Sequence, residues 1–273
     1  MTDNQTVQAC IDAWTQSIES ISELLAALPT DSWNRATECP GWSVRDVVSH
    51  VIAVESELLG DPRPIHSLPR DLRHVTTEFA RYVELPVDKR RCHTPIELTS
   101  ELDYIVIRRS RALRDSRYEP GDLVRTPAGP LARDLPYWAL LRERVLDVWV
   151  HEQDLRRAIG VPGNLASPAA LITRDLLLEG LPKAVARLAG APAGTVVSFD
   201  VTGEVEFLRT VRVDADGRGT LDERVSLAPG VQFTMDWETY ARLACGRGRP
   251  GPVKAEGDQE LAARVLANFA LTP

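Results

Sequence analysis

The chain has 273 residues, 44% of them hydrophobic and 26% charged, which is long enough for one large or two ordinary domains with real cores and ordinary for a soluble globular protein. A net charge of −7, with no cluster of Lys and Arg among aromatics, argues against a nucleic-acid partner, because the phosphate backbone would be repelled. No stretch approaches the ~20 apolar residues of a membrane span, and the opening MTDNQTVQACIDAW lacks the basic start and apolar run of a secretion signal, so the expected location is the cytoplasm.

Residues 5–28 place Val7, Ile11, Trp14, Ile18, Ile21 and Leu25 at helical spacing and predict an amphipathic helix. A loop through Cys39-Pro40-Gly41-Trp42 follows. Ser43, with Asp46 three residues on, starts a second helix that runs to about Leu59, with Val47, Val51, Val54 and Leu58 as its core stripe. Residues 61–95 are irregular, with a short helix near 75–84; His66, His74 and His93 fall there and read as surface or loop residues. A third principal helix spans Pro95 to about Arg114, and Gly121, Pro127, Gly129 and Pro130 mark a long loop. The fourth runs from about 136 to 159 and stops at Gly160-Val161-Pro162-Gly163. Four principal helices with two long connections predict a bundle over 1–163.

The pattern changes after that. A helix over Pro168–Leu188 precedes strand-like runs at 195–201, 204–213 and 231–235, and helices at 237–245 and 258–270 close the chain. This predicts a separate, smaller α+β domain over 164–273. Cys10, Cys39, Cys92 and Cys245 form no CxxC and read as reduced thiols; Cys39, just before a helix start, is weighed as a reactive thiolate against a packed structural thiol, and packing is favoured.

Asp147 and His151 lie one turn apart on one helix face. Apolar neighbours on both sides of Asp147 predict near-complete burial, where a carboxylate needs a partner. With His50 from the second helix they would form a two-histidine, one-carboxylate site that suits a divalent metal and leaves positions open. Spacing leaves the alternative standing: Asp147 paired with Arg144 or Arg108, and His50 and His151 as buried hydrogen bonders. Glu143 reads as an outer or surface acid. Asp154 either orients the second ring nitrogen of His151 or pairs with Arg157 at the surface. There is no GxSxG and no GxxxxGK[ST], so serine-hydrolase and phosphate-loop chemistry find no support.

CPGWSVRDVVSHVIAVE (39–55) and RVLDVWVHEQDLRRAIGVPG (144–163) resemble the mycothiol-dependent maleylpyruvate isomerase family, the actinobacterial branch of the DinB-like metal-binding bundles. FTMDWETYARLACGR and VKAEGDQELAARVLANFALTP resemble that family's second domain, which is similar to sterol carrier proteins. The resemblance implies a DinB-like four-helix bundle followed by a sterol-carrier-like α+β domain, with metal ligands at His50, Asp147 and His151. It implies zinc or another divalent ion, mycothiol as the thiol, and a small electrophile as substrate. The family's acid is glutamate, whereas this chain has the shorter aspartate, which weakens transfer of the named isomerase activity but not of metal binding. The implied reactions are S-transfer and thiol-assisted cis-trans isomerisation; the alternatives are a non-catalytic metal-containing protein that binds a hydrophobic ligand, and a metal-dependent hydrolase. Arg247, in the CGRGRP loop, is the candidate to reach over an interdomain cleft and bind a substrate carboxylate, against a plain solvated arginine. Trp42 reads as a hydrophobic anchor at the helix entrance.

Overall fold

Apolar residues recurring every three or four positions fold the first part of the chain into helices. In the computed structural model, which describes residues 3–223, 228–248 and 251–272, these are α1 (Asp3–Ala26), α2 (Val44–Leu58), α3 (Glu78–Arg90), α4 (Pro95–Arg114) and α5 (Tyr137–Ile159). α1 packs on α4 and α5, and α2 packs on α3, α4 and α5, so α1, α2, α4 and α5 make a four-helix bundle with α3 laid on α2. The bundle core is Trp14, Ile18 and Ile21 from α1, Val47, Val48, Val51 and Ile52 from α2, Leu98 and Leu102 from α4, and Val145, Val148 and Trp149 from α5. Asp46 accepts both the backbone N–H and the hydroxyl of Ser43, which fixes the start of α2. Gly160, at φ +74°, closes α5 in the left-handed conformation that suits glycine.

α3 starts later than the sequence predicts and continues through Pro86 to Arg90. Pro86 has no N–H to offer the Tyr82 carbonyl one turn earlier, and Arg63 Nη2 donates to that oxygen instead, at 2.5 Å. The loop expected around 121–130 contains an antiparallel hairpin, β1 (Leu123–Arg125) with β2 (Asp134–Pro136).

Residues Asn164–Pro273 form a second compact unit, distinct from Met1–Gly163. It has a five-stranded sheet in the order β5-β4-β3-β6-β7, from β3 (Val196–Thr202), β4 (Phe207–Val213), β5 (Gly219–Asp222), β6 (Val231–Asp236) and β7 (Lys254–Gly257). β3 runs parallel to β6, and every other pairing is antiparallel. Alternation buries Val197, Phe199 and Val201 beside Val231, Phe233 and Met235, with the paired Phe199 and Phe233 rings stacked at 5.3 Å. α6 (Pro168–Pro182), α7 (Trp237–Ala244) and α8 (Gln259–Ala267) cover the sheet. The helix predicted to Leu188 is α-helical only to Pro182 and continues as a π-helical turn, Lys183–Leu188. β5 and β7 escape the sequence pattern because four-residue edge strands with little burial carry no alternation to read. No helix among the described residues is long and apolar enough to cross a membrane.

Candidate metal centre

α2 and α5 pack against each other and bring His50 to Asp147 and His151. Asp147 Oδ1 lies 3.8 Å from His50 Nε2 and 3.7 Å from His151 Nε2, and the three ligand atoms lie within 4.8 Å of one another. The imidazole centroids are 4.8 Å apart, edge to face. Both histidines are buried, whereas the Asp147 side chain is 28% exposed.

His151 and Asp147 are each held from behind. His151 Nδ1 is 3.1 Å from Oδ2 of Asp154, a fully buried carboxylate. Accepting from Nδ1–H fixes the tautomer and leaves the Nε2 lone pair facing the trio. Cys39 Sγ donates to the same oxygen, and Arg157 bridges Asp154 Oδ1 and Glu38. Arg144 Nη1 pairs with Asp147 Oδ2 at 2.9 Å while its Nε and Nη2 donate to Glu55 Oε1. Glu55, 1% exposed, also accepts from Trp14 Nε1 and Arg109 Nε.

The electrostatics suit a cation. Burial would raise the Asp147 carboxyl, but Arg144 and then the two histidines outweigh it and hold it well below the usual carboxylate range. Burial pushes His50 down against the opposing pull of Asp147, favouring the neutral imidazole that ligates. Two imidazoles and one carboxylate, converging with the Asp147 side chain partly exposed, fit a divalent metal.

Trp42 walls one side, its ring centroid 5.1 Å from that of His50 and 6.4 Å from that of His151. Its Nε1 donates to Glu84, a buried acid that also pairs with His74 and Arg91. Trp42 sits where it does because the preceding turn closes by a Trp42 N–H to Cys39 carbonyl bond, with Gly41 at φ +79°. The His74 ring occupies the space a Cβ on Gly41 would need.

The sequence alternatives for Asp147 turn out to coexist, since it meets both histidines and pairs with Arg144; Arg108 pairs with Asp61 instead. The stretch around Asp147 is less enclosed than predicted, because Leu146 and Asp147 are only half-buried. The α2 stripe is also shifted: Val44, Val47, Val48, Val51 and Ile52 are buried, while Val54 and Leu58 are half-buried. Asp154 touches both His151 and Arg157, and it is not at the surface. Glu143 pairs with Arg133 at the surface. His66 and His74 are more than loop residues, since each is paired with an acid on α3. Cys39, His151 and Asp154 also bring three ligand atoms within 4.8 Å, but Asp154 already engages the other two.

Arg247 follows α7 in the second unit and donates from Nη1 to the Cys245 carbonyl. Arg249 and Pro250 of the same loop lie outside the described residues. Glu55 and Glu84 are the important residues that spacing did not single out. Glu55 had a signal: it continues the buried row Val44, Val48, Val51, Ile52 of α2, where an acid demands cations.

A family model described as "Mycothiol maleylpyruvate isomerase N-terminal domain" matches residues 14–156, and a second, "MDMPI C-terminal domain", matches residues 172–264. No curated protein matches the chain. Among solved structures, it is similar to a crystal structure of the mycothiol-dependent maleylpyruvate isomerase and to one of an alanine-for-histidine mutant of that enzyme. Each superposes with a TM-score of 0.59 at 17% identity, covering 94% of this chain and 93% of the other, which is a likeness of fold. With both domain models matched along its length, the chain belongs to the mycothiol maleylpyruvate isomerase family.

Proposed function

We propose that His50, Asp147 and His151 hold a catalytic divalent ion, zinc in our reading, and that the chain uses mycothiol to isomerise or S-conjugate a small electrophile. The observation that carries this is the convergence of two imidazole Nε2 atoms and one carboxylate oxygen, with the His151 proton held on the far nitrogen by Asp154. When bound, the ion supplies a Lewis-acidic position that favours a thiolate over a thiol. Asp154 keeps the Nδ1 proton of His151 away from the site, Arg144 holds Asp147 ionised, and Trp42 covers the ring faces against water.

For the isomerase reaction, the mycothiol thiolate adds to one carbon of a cis double bond and the π electrons move onto the conjugated carbonyl. Rotation about the new single bond follows, and the enolate electrons then re-form the double bond and expel the thiolate. For S-transfer, the thiolate displaces a leaving group that departs with its electron pair. Arg247 is our candidate cation for a substrate carboxylate. The compartment that fits a thiol cofactor and reduced cysteines is the cytoplasm.

The test is metal analysis of the purified chain with His50→Ala and His151→Ala, followed by turnover of maleylpyruvate and of a chlorinated arene with and without mycothiol. Both variants lose metal, and turnover requires the thiol. In the same assay Arg247→Ala raises KM for the dicarboxylate more than it lowers kcat. Unchanged metal content in both histidine variants sinks the site. Turnover without thiol identifies a hydrolase, and tight retention of an apolar ligand without turnover identifies a binding protein.

A further inference from the structure

The two oxygens of Asp147 have different neighbours. Oδ1 faces the Nε2 atoms of His50 and His151, while Oδ2 is paired with Arg144 Nη1 at 2.9 Å. Arg144 cannot easily swing away. Its Nε and Nη2 are 3.2 and 2.9 Å from Glu55 Oε1, and Glu55 is itself fixed by Trp14 and by Arg109. Arg144, Glu55 and Arg109 are 7%, 1% and 7% exposed. Ion clusters so deeply buried are costly to assemble and are weak evidence of a gain in stability. This one ends on the Asp147 oxygen opposite the one that meets the histidines.

A carboxylate beside a divalent ion binds through one oxygen or through both. Which it does decides how many positions remain for thiol and substrate. We propose that Arg144 is a positioning residue that reserves Asp147 Oδ2, so that Asp147 offers the metal a single oxygen and a further position stays open. The proposal rests on the metal reading above and says how that site is kept unsaturated. The planar guanidinium suits the task because it reaches two acids at once from one rigid fork, which a lysine ammonium cannot match. Arg144 stands three residues before Asp147 on α5, so both project from the same face.

The experiment uses the full chain loaded with Co²⁺, whose visible bands are strong at low coordination number and weak at high. Wild type, Arg144→Lys and the double variant Arg144→Met/Glu55→Gln are compared, the double variant removing Arg144 together with its buried acid partner. In the double variant Asp147 takes the ion with both oxygens, and the bands weaken severalfold and shift. Arg144→Lys brings part of the intensity back. A folded double variant with wild-type bands, or one that has lost its cobalt, overturns the proposal. Should the double variant not fold, the metal-loaded minus metal-free infrared spectrum of wild type decides. A wide splitting of the carboxylate stretches supports one-oxygen ligation, and a narrow one overturns it. Absence of cobalt bands from wild type would refute the metal reading itself, which keeps the two failures apart.

Discussion

His151 reaches the trio with one nitrogen because Asp154 holds the other, and Asp154 is in turn pinned by Arg157 and Cys39. Partners of this kind are typically worth roughly 10- to 100-fold in metal affinity. Asp154→Asn keeps the shape and loses the charge, so metal affinity falls within that range; competition against a chelator measures it, and unchanged affinity would remove Asp154 from the site. At this scale the meeting of His50, Asp147 and His151 was legible, as were Asp154 and Arg144 as partners, while Glu55 was not. The four-residue step from Asp147 to His151 is a property of one helix and can be read from the chain. The Arg144 to Glu55 pairing crosses between α5 and α2, and no spacing within either helix encodes which acid meets which guanidinium. Asp154 was read as a choice between two partners, yet a carboxylate has two oxygens and the structure uses one for each.

The turn from Cys39 to Trp42 shows what a short element contributes. It delivers an indole onto two histidines, and it does so with Gly41 at a positive φ and the His74 ring packed directly on it. Gly41→Ala meets both obstacles, a strained backbone and a ring in the way of the new Cβ. It is expected to cost roughly 1–3 kcal/mol for the backbone alone. Chemical denaturation measures the loss, and a midpoint equal to wild type would show that the turn relaxes freely. Helix starts were the most readable elements: Ser43 with Asp46 marks α2, and Pro95 marks α4, where they begin. α3 was misjudged because Pro86 reads as a stop. What rescues the helix is Arg63, from a preceding loop, and that contact is invisible to local sequence.

Across the whole chain, the shift from helical spacing to strand alternation after residue 163 is written in the apolar pattern, because each half must bury its own apolar face. The charge balance is less transparent. Most of the chain's acids carry no burial signal, yet Asp88 joins His66 and Arg91 in a network that also takes in Asp46 and Glu84. Burial alone would raise the Asp88 carboxyl; the hydrogen bonds from His66 and Arg91 outweigh it and hold it below its ordinary 3.8. A carboxyl depressed in the folded state adds stability that is present above its unfolded pKa and lost as pH falls through the folded value. Asp88→Asn therefore lowers the urea midpoint at about pH 7 and lowers it by less at a more acidic pH, because the charge contribution is lost as pH falls through the depressed folded value. An equal loss at both pH values would mean that packing, rather than charge, is what the substitution removes.

Trp42 also makes the site self-reporting. An indole pinned by Glu84 in contact with both imidazoles has its excited state within reach of whatever fills the space between them. A paramagnetic ion such as Co²⁺ quenches its emission, whereas a closed-shell ion such as Zn²⁺ shifts the emission without extinguishing it. Metal loading of the proposed centre is therefore expected as a partial change in the emission of the unmodified chain, one of whose six tryptophans lies at the trio, and an emission unchanged by Co²⁺ would count against it.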